Sequence, residues 1–135
     1  MQSMTVEAAT ANLAQVTEFI DGLLEQSDCP MKIQMKIDIA IDEIFGNIAN
    51  YAYADAAGTV TVNAGYNADE AQFEITFIDS GMPYNPLEKD DPDVTLSAEE
   101  RGIGGLGIFI VKNTMDDIIY RYEDGCNILT LIKKY

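Results

Sequence analysis

Residues 59–81 read TVTVNAGYNADEAQFEITFIDSG, and this stretch decides the fold expected for the chain. Apolar and polar side chains alternate over Thr59–Tyr66 and again over Gln72–Ile78, which is the period of a strand with one buried face. The short link at 67–71 predicts that the two strands form a hairpin. An Asp-Ser-Gly turn follows the second strand at 79–81.

A second hairpin is predicted near the end of the sequence. The segments Ile118–Glu123 and Cys126–Lys133 flank Asp124-Gly125, a dipeptide that tolerates the positive φ angles of a two-residue turn. A further short strand is predicted over Thr5–Ala8. Strands that arrive mainly as hairpins indicate an antiparallel or mixed sheet.

Three helices are predicted from apolar side chains at helical spacing. The first carries Leu13, Val16, Ile20, Leu23 and Leu24, with Thr10 or Asn12 as its cap. The second has Pro30 in its first turn and carries Ile33, Ile37, Ile41, Ile44 and Ile48. The third runs through Ile108–Val111 and stops at Asp116-Asp117. The expected fold is therefore α+β, a two-layer α/β sandwich in which helices cover one face of a mixed, mostly antiparallel sheet.

The length and composition are those of one globular domain. Of the 135 residues 47% are hydrophobic, and we expect residues 1–135 to form a single domain. No apolar run approaches the ~20 residues of a membrane span. Residues 1–13 contain neither lysine nor arginine, so they lack the pattern of a secretory signal. We therefore expect a soluble, cytoplasmic protein.

Charge and missing residue types narrow the possible chemistry. The sequence has no histidine, which excludes a Ser-His-Asp triad and a histidine-ligated metal. Cys29 and Cys126 form no CxxC pair, which argues against a zinc site. A formal net charge of −15 repels nucleic acid and anionic lipid, and we expect neither as a partner. The same charge would repel ATP unless Mg²⁺ neutralised the triphosphate.

The second helix carries the first candidate site. Glu43, Asn47 and Asn50 are spaced i, i+4, i+7, which places them on one stripe of a regular α-helix. A carboxylate and two amides on one face suit Mg²⁺ and its bound water, because a hard cation prefers oxygen ligands. Spacing alone favours the simpler interpretation, a solvated polar face.

The turn after the second predicted strand is the next candidate site. Asp79 ends an apolar strand, and Ser80-Gly81 lets the backbone approach a flat ligand closely. The amino group of adenine could donate to this carboxylate. An Asx turn, in which the aspartate binds its own backbone, explains the pattern equally well.

Glycines before the third helix give the strongest signal of a ligand site. Residues 101–107 read RGIGGLG, and free N–H groups at a helix start favour phosphate. The same residues satisfy G-x-G-x-x-G through Gly102, Gly104 and Gly107, but a polar stretch precedes them where a dinucleotide fold has a buried strand. The polar segment 84–101 is expected to be a loop that acts as a lid over the ligand.

Taken in order, three motifs resemble the N, G1 and G2 boxes of the GHKL ATPases: EIFGN at 43–47, DSG at 79–81 and GIGGLG at 102–107. More narrowly, the segments 41–53 and 101–111 are similar to the bacterial anti-sigma factor serine/threonine kinases. The resemblance implies an ATP-binding Bergerat fold that phosphorylates an anti-anti-sigma (STAS) protein and sequesters a sigma factor. Homodimers are usual in that family.

The resemblance also implies roles for particular residues. Glu43 would be the catalytic base, Asn47 the Mg²⁺ ligand, with Asn50 supporting it, and Asp79 the acid that reads adenine above Gly81. The turn 102–107 would hold the phosphates, through Gly102, Gly104, Gly105, Leu106 and Gly107. Arg101, at the end of the lid, would face the triphosphate or the partner. Two alternatives remain: a non-catalytic ATP-binding module that switches protein partners, and a histidine kinase catalytic domain whose phosphoacceptor lies on another chain.

Overall fold

The computed structural model describes residues 1–53, 57–88 and 106–135. Its strands are β1 (Gln2–Glu7), β2 (Thr59–Asn67), β3 (Gln72–Asp79), β4 (Asp117–Glu123) and β5 (Cys126–Lys134). Its helices are α1 (Leu13–Gln26), α2 (Met31–Asn47) and α3 (Leu106–Thr114). Short turns of 3-10 helix cover Thr10–Asn12 and Pro86–Glu88, and a π-helical turn, Ile48–Ala52, continues α2.

The five strands form one sheet in the order β1-β2-β3-β5-β4, and each described pair of neighbours is antiparallel. Both predicted hairpins are present, as β2–β3 and β4–β5. Asp124 and Gly125 have φ angles of 52° and 78°, as the tight turn between β4 and β5 requires. Since β5 lies between β3 and β4, the end of β3 lies beside the start of β5.

One face of the sheet is buried by the helices, as predicted. Burial alternates along β2, β3 and β5, so every second side chain enters the core. The sheet contributes Val60, Val62, Ala64, Phe73, Ile75, Phe77, Leu129 and Leu131 to this core. The helices contribute Val16, Ile20, Leu24, Ile37, Ala40, Ile41, Ile44, Phe45, Ile108 and Val111. The expected α+β sandwich is confirmed.

Some boundaries differ from the sequence-based prediction. β1 is longer than Thr5–Ala8, because its pairing with β2 starts at Gln2. Pro30 is the residue before α2 rather than part of its first turn. Asn12 precedes α1, but its side chain donates to the carbonyl of Glu7 instead of capping the helix. None of the described helices is both long and apolar enough to cross a membrane.

Candidate functional site

Helix α2 brings Glu43 and Asn47 together one turn apart. The amide Nδ2 of Asn47 donates to Glu43 Oε1 at 3.3 Å, and both side chains are half-buried. With the amide used in this way, Asn47 Oδ1 has no hydrogen-bond donor among the described residues. A carboxylate and an amide oxygen are therefore available as hard ligands on one side of the helix.

Asn50 lies in a different kind of turn from this pair. The chain changes from α-helix to a π-helical turn over Ile48–Ala52. Asn50 is exposed in this turn, whereas Asn47 lines the cleft described below. The stripe of three polar side chains assumed a regular helix, and the supporting role of Asn50 stays a prediction.

The first turn of α3 packs directly on this pair. A Cβ added at Gly107 would overlap the carboxylate of Glu43, so the backbone of α3 lies directly against this side chain. Because α3 begins at Leu106, the carboxylate lies beside the N-terminal turn of a helix, where free N–H groups and the helix dipole favour negative charge. Glu43 and the start of α3 therefore form one polar corner.

Asp79 is the buried carboxylate at the end of β3, with 5% of its surface exposed. Its Oδ1 accepts hydrogen bonds from Gly81 N at 2.9 Å and from Asn127 Nδ2 at 3.0 Å. The Asx turn considered from the sequence is therefore present. It uses one oxygen, and within the described part of the chain no hydrogen bond engages Oδ2. Asp79 can therefore form the turn and still accept a hydrogen bond from a ligand.

Asn127 is a buried polar residue that the sequence analysis missed. Its Nδ2 donates to Asp79 Oδ1 and to the carbonyl of Met82 at 2.8 Å. Its Oδ1 accepts from Tyr84 N at 3.0 Å and from the hydroxyl of Tyr120 at 2.5 Å. The alternation of β5 carried a signal, because Asn127 shares the inward phase of apolar residues and is the one amide there.

A small cleft of about 140 Å³ lies between Asn47 and the Asp79–Asn127 pair. Its apolar lining includes Ile44, Ile48, Phe77, Met82, Pro83, Pro86 and Leu129. Its polar lining includes Asn47, Asp79, Tyr120 and Asn127. Burial raises the pKa of Tyr120, so its hydroxyl stays neutral and can donate at physiological pH. An apolar slot with a carboxylate at its wall suits a flat ring that carries an amino group.

The turn that follows Asp79 approaches the end of α2 closely. A Cβ on Gly81 would overlap the carbonyl of Ala52, and Met82 N donates to that same oxygen at 2.9 Å. The glycine is therefore required by close backbone packing. Its predicted place beneath adenine stays a prediction.

Part of the expected site lies outside the described residues. This applies to Arg101, Gly102, Gly104 and Gly105, and to the segment 89–101 of the expected lid. Of the glycine-rich motif, the structure describes only the backbone of Leu106 and the close packing of Gly107. Of the lid, it describes 84–88, which includes the turn Pro86–Glu88.

A family model described as the histidine kinase-like ATPase domain matches residues 6–133. The chain belongs to the histidine kinase-like ATPase family. Its match extends over both hairpins and all three helices, so it includes every described residue of the site. This agrees with the resemblance seen in the three sequence motifs.

Relatives in this family are named serine-protein kinase RsbW. One from Bacillus mycoides is 32% identical over 95 residues, which is 67% of this chain and 58% of the relative. One from Listeria monocytogenes is 30% identical over 115 residues, which is 82% of this chain and 72% of the relative. The chain therefore spans a little over half the length of some relatives that it matches.

Two solved structures share the fold. The RsbU and RsbW domains of a Mycobacterium tuberculosis protein match with a TM-score of 0.63 at 13% identity, over 99% of this chain and 32% of that one. The histidine kinase domain of a blue-light activated histidine kinase from Erythrobacter litoralis matches with a TM-score of 0.59 at 18% identity, over 91% of this chain and 59% of that one. Both are kinase-like domains, which supports the α+β assignment.

Proposed function

We propose that this chain binds ATP with Mg²⁺ and acts as a cytoplasmic anti-sigma factor that is also a serine/threonine-protein kinase. Its substrate would be an anti-anti-sigma (STAS) protein, and its second partner a sigma factor, in a partner-switching pathway. The names of the RsbW relatives support the activity. The observation that carries the proposal is that Asn47 and Asp79 line the same cleft.

The cleft suggests how the nucleotide would lie. Adenine would occupy the apolar slot and donate its amino group to Asp79 Oδ2, the oxygen that the Asx turn leaves unused. The triphosphate would then extend towards Glu43, Asn47 and the start of α3. The residues 101–107 are proposed to hold it through backbone N–H groups, with Arg101 adding positive charge.

The polar corner fits a metal-assisted phosphoryl transfer. Bound Mg²⁺ would neutralise the triphosphate, which a chain of net charge −15 otherwise repels. Asn47 Oδ1 would be its protein ligand. Glu43, held by the amide of Asn47, would accept the proton of the incoming serine or threonine hydroxyl. Asn50, which is exposed in the π-helical turn, would support the Mg²⁺ side.

Calorimetry with ATP and Mg²⁺ tests the cleft directly. We expect binding by the wild-type chain that is lost or strongly weakened in Asn47→Ala and in Asp79→Asn, while Asn63→Ala on the opposite face of the sheet binds normally. Binding that survives both site substitutions would overturn the assignment of the cleft.

Phosphotransfer separates the kinase from a purely regulatory module. A candidate STAS protein would be incubated with labelled ATP and either the wild-type chain or Glu43→Gln. We expect transfer by the wild type and almost none by Glu43→Gln, although that variant should still bind ATP. If the wild-type chain and Glu43→Gln bind the STAS protein equally well, and the wild type transfers no phosphate, the non-catalytic module that switches partners is favoured.

A further inference from the structure

The hydroxyl of Tyr53 lies between two backbone groups of different strands. It donates to the carbonyl oxygen of Thr59 at 2.5 Å and accepts from Ser80 N at 2.7 Å. Thr59 begins β2, and Ser80 directly follows β3. One phenol group therefore joins the end of the helical segment after α2 to both strands of the first hairpin.

The strand register shows that this hydroxyl lies between two backbone groups that would otherwise face each other. Val60 pairs with Asp79, and extending the ladder by one step places Thr59 opposite Ser80. At that step the Tyr53 hydroxyl lies between the N–H of Ser80 and the C=O of Thr59. The hydroxyl thus bridges the two strands immediately after the carboxylate that lines the cleft.

Close packing holds the phenol and the turn in place. A Cβ on Gly58 would overlap the Tyr53 ring, so the chain passes directly against its face. The neighbouring residue, Ala52, accepts from Met82 N at 2.9 Å and leaves no room for a side chain at Gly81. Hydrogen bonds from Ser80 N to Tyr53 and from Met82 N to Ala52 therefore hold the turn after β3 in place.

We propose that Tyr53 is a positioning residue that fixes Asp79 relative to Asn47 and thereby determines how well adenine is recognised. The inference rests on the proposed function. Asn47 ends α2 and Tyr53 directly follows the π-helical turn that continues it, whereas Asp79 belongs to the sheet. The Tyr53 hydroxyl is a direct link between these two parts of the cleft.

Tyr53→Phe removes the hydroxyl and keeps the ring. With no bridge, Thr59 O and Ser80 N can approach each other, and the turn that holds Asp79 shifts. We expect ATP affinity to fall about tenfold, the effect of losing roughly one hydrogen bond from the recognition of the base. Tyr122→Phe is the matched control, because Tyr122 is exposed and its hydroxyl makes no hydrogen bond within the described residues.

The deciding comparison uses two nucleotides in calorimetry with Mg²⁺: ATP, and purine riboside triphosphate, which lacks the amino group. If Tyr53 acts through Asp79, Tyr53→Phe weakens the binding of ATP and leaves the binding of the analogue almost unchanged. Equal losses for the two nucleotides, or no loss, would overturn the proposal.

Two further results keep the outcome interpretable. If Tyr53→Phe does not fold, Gly58→Ala gives the same comparison, because its added methyl displaces the ring but keeps the hydroxyl. If the wild-type chain binds neither nucleotide, the proposed function fails and this inference fails with it. Normal ATP binding by the wild type together with normal binding by Tyr53→Phe rejects the inference alone.

Discussion

Asn127 and Asp79 lie opposite each other in the β3–β5 ladder, and the amide of Asn127 donates to the Asp79 carboxylate at 3.0 Å. The same side chain also donates to the carbonyl of Met82 and accepts a hydrogen bond from the hydroxyl of Tyr120. One side chain thus joins β3, β4, β5 and the segment that leaves the turn. The position of the carboxylate depends on this amide.

Asn127→Ala should both destabilise the chain and weaken ATP binding. The substitution leaves the buried Asp79 and the Met82 carbonyl without this donor, and we expect a loss of about 2–4 kcal/mol in the free energy of unfolding. Urea unfolding and calorimetry measure the two effects. Asn63→Ala, on the outer face of β2, is the control and should cost less than about 0.5 kcal/mol. A similarly small effect for Asn127→Ala would show that the amide network is dispensable.

Gly107→Ala should impair ATP binding through Glu43. Since the new methyl group overlaps the Glu43 carboxylate, either that side chain or the first turn of α3 must move. Calorimetry with Mg²⁺ should show at least a tenfold loss of affinity, about 1.4 kcal/mol. Gly22→Ala is the matched control, because an added methyl meets nothing within 4 Å there. That control should stabilise α1 by about 0.5–1 kcal/mol. Unchanged affinity in Gly107→Ala would contradict the close packing described for the polar corner.

Asp38 should make the stability of the fold depend on pH. Burial, a hydrogen bond to Asp21 and the negative charges of Asp21 and Asp42 raise the pKa of Asp38 from 3.8 to about 7. The folded chain therefore holds this proton more tightly than the unfolded chain does. Its stabilising effect is complete below about pH 4 and is lost as the pH rises through 7.

Urea unfolding at pH 5.5 and at pH 8 measures this effect. We expect the free energy of unfolding to fall between these values in the wild type and to change less in Asp38→Asn, which should be the more stable protein at pH 8. Asp69→Asn, in the exposed β2–β3 turn, should keep the pH dependence of the wild type. An Asp38→Asn variant with the same pH dependence as the wild type would refute the raised pKa of Asp38.

The elements of this fold could be predicted because they are encoded locally. Alternation over 59–78 and the Asp124-Gly125 turn specify two hairpins, and the isoleucines of α2 specify one buried face. The order of strands in the sheet was not predicted. Strand β5 lies between β3 and β4, and no periodicity within a segment can show which distant segment becomes its neighbour.

The candidate site was predicted only in part, for the same reason. Glu43, Asn47 and Asp79 could be selected because helical spacing and a strand end are local features. Asn127 and Tyr53 take part through contacts with residues 48 and 27 positions away. The π-helical turn that carries Asn50 was not predicted, because such a turn has no clear sequence signature.

That π-helical turn has a consequence for how the chain tolerates insertions and deletions. Each residue of a regular helix turns the chain by about 100°, so deleting one residue from 48–52 would restore an ordinary helix end and rotate everything after it. The shortened helix should be the more stable one in isolation. Its last residues would, however, face away from the Ser80–Met82 backbone, and the cleft would lose the part of its lining that this turn contributes. The wide turn thus makes the length of this segment as important as its composition.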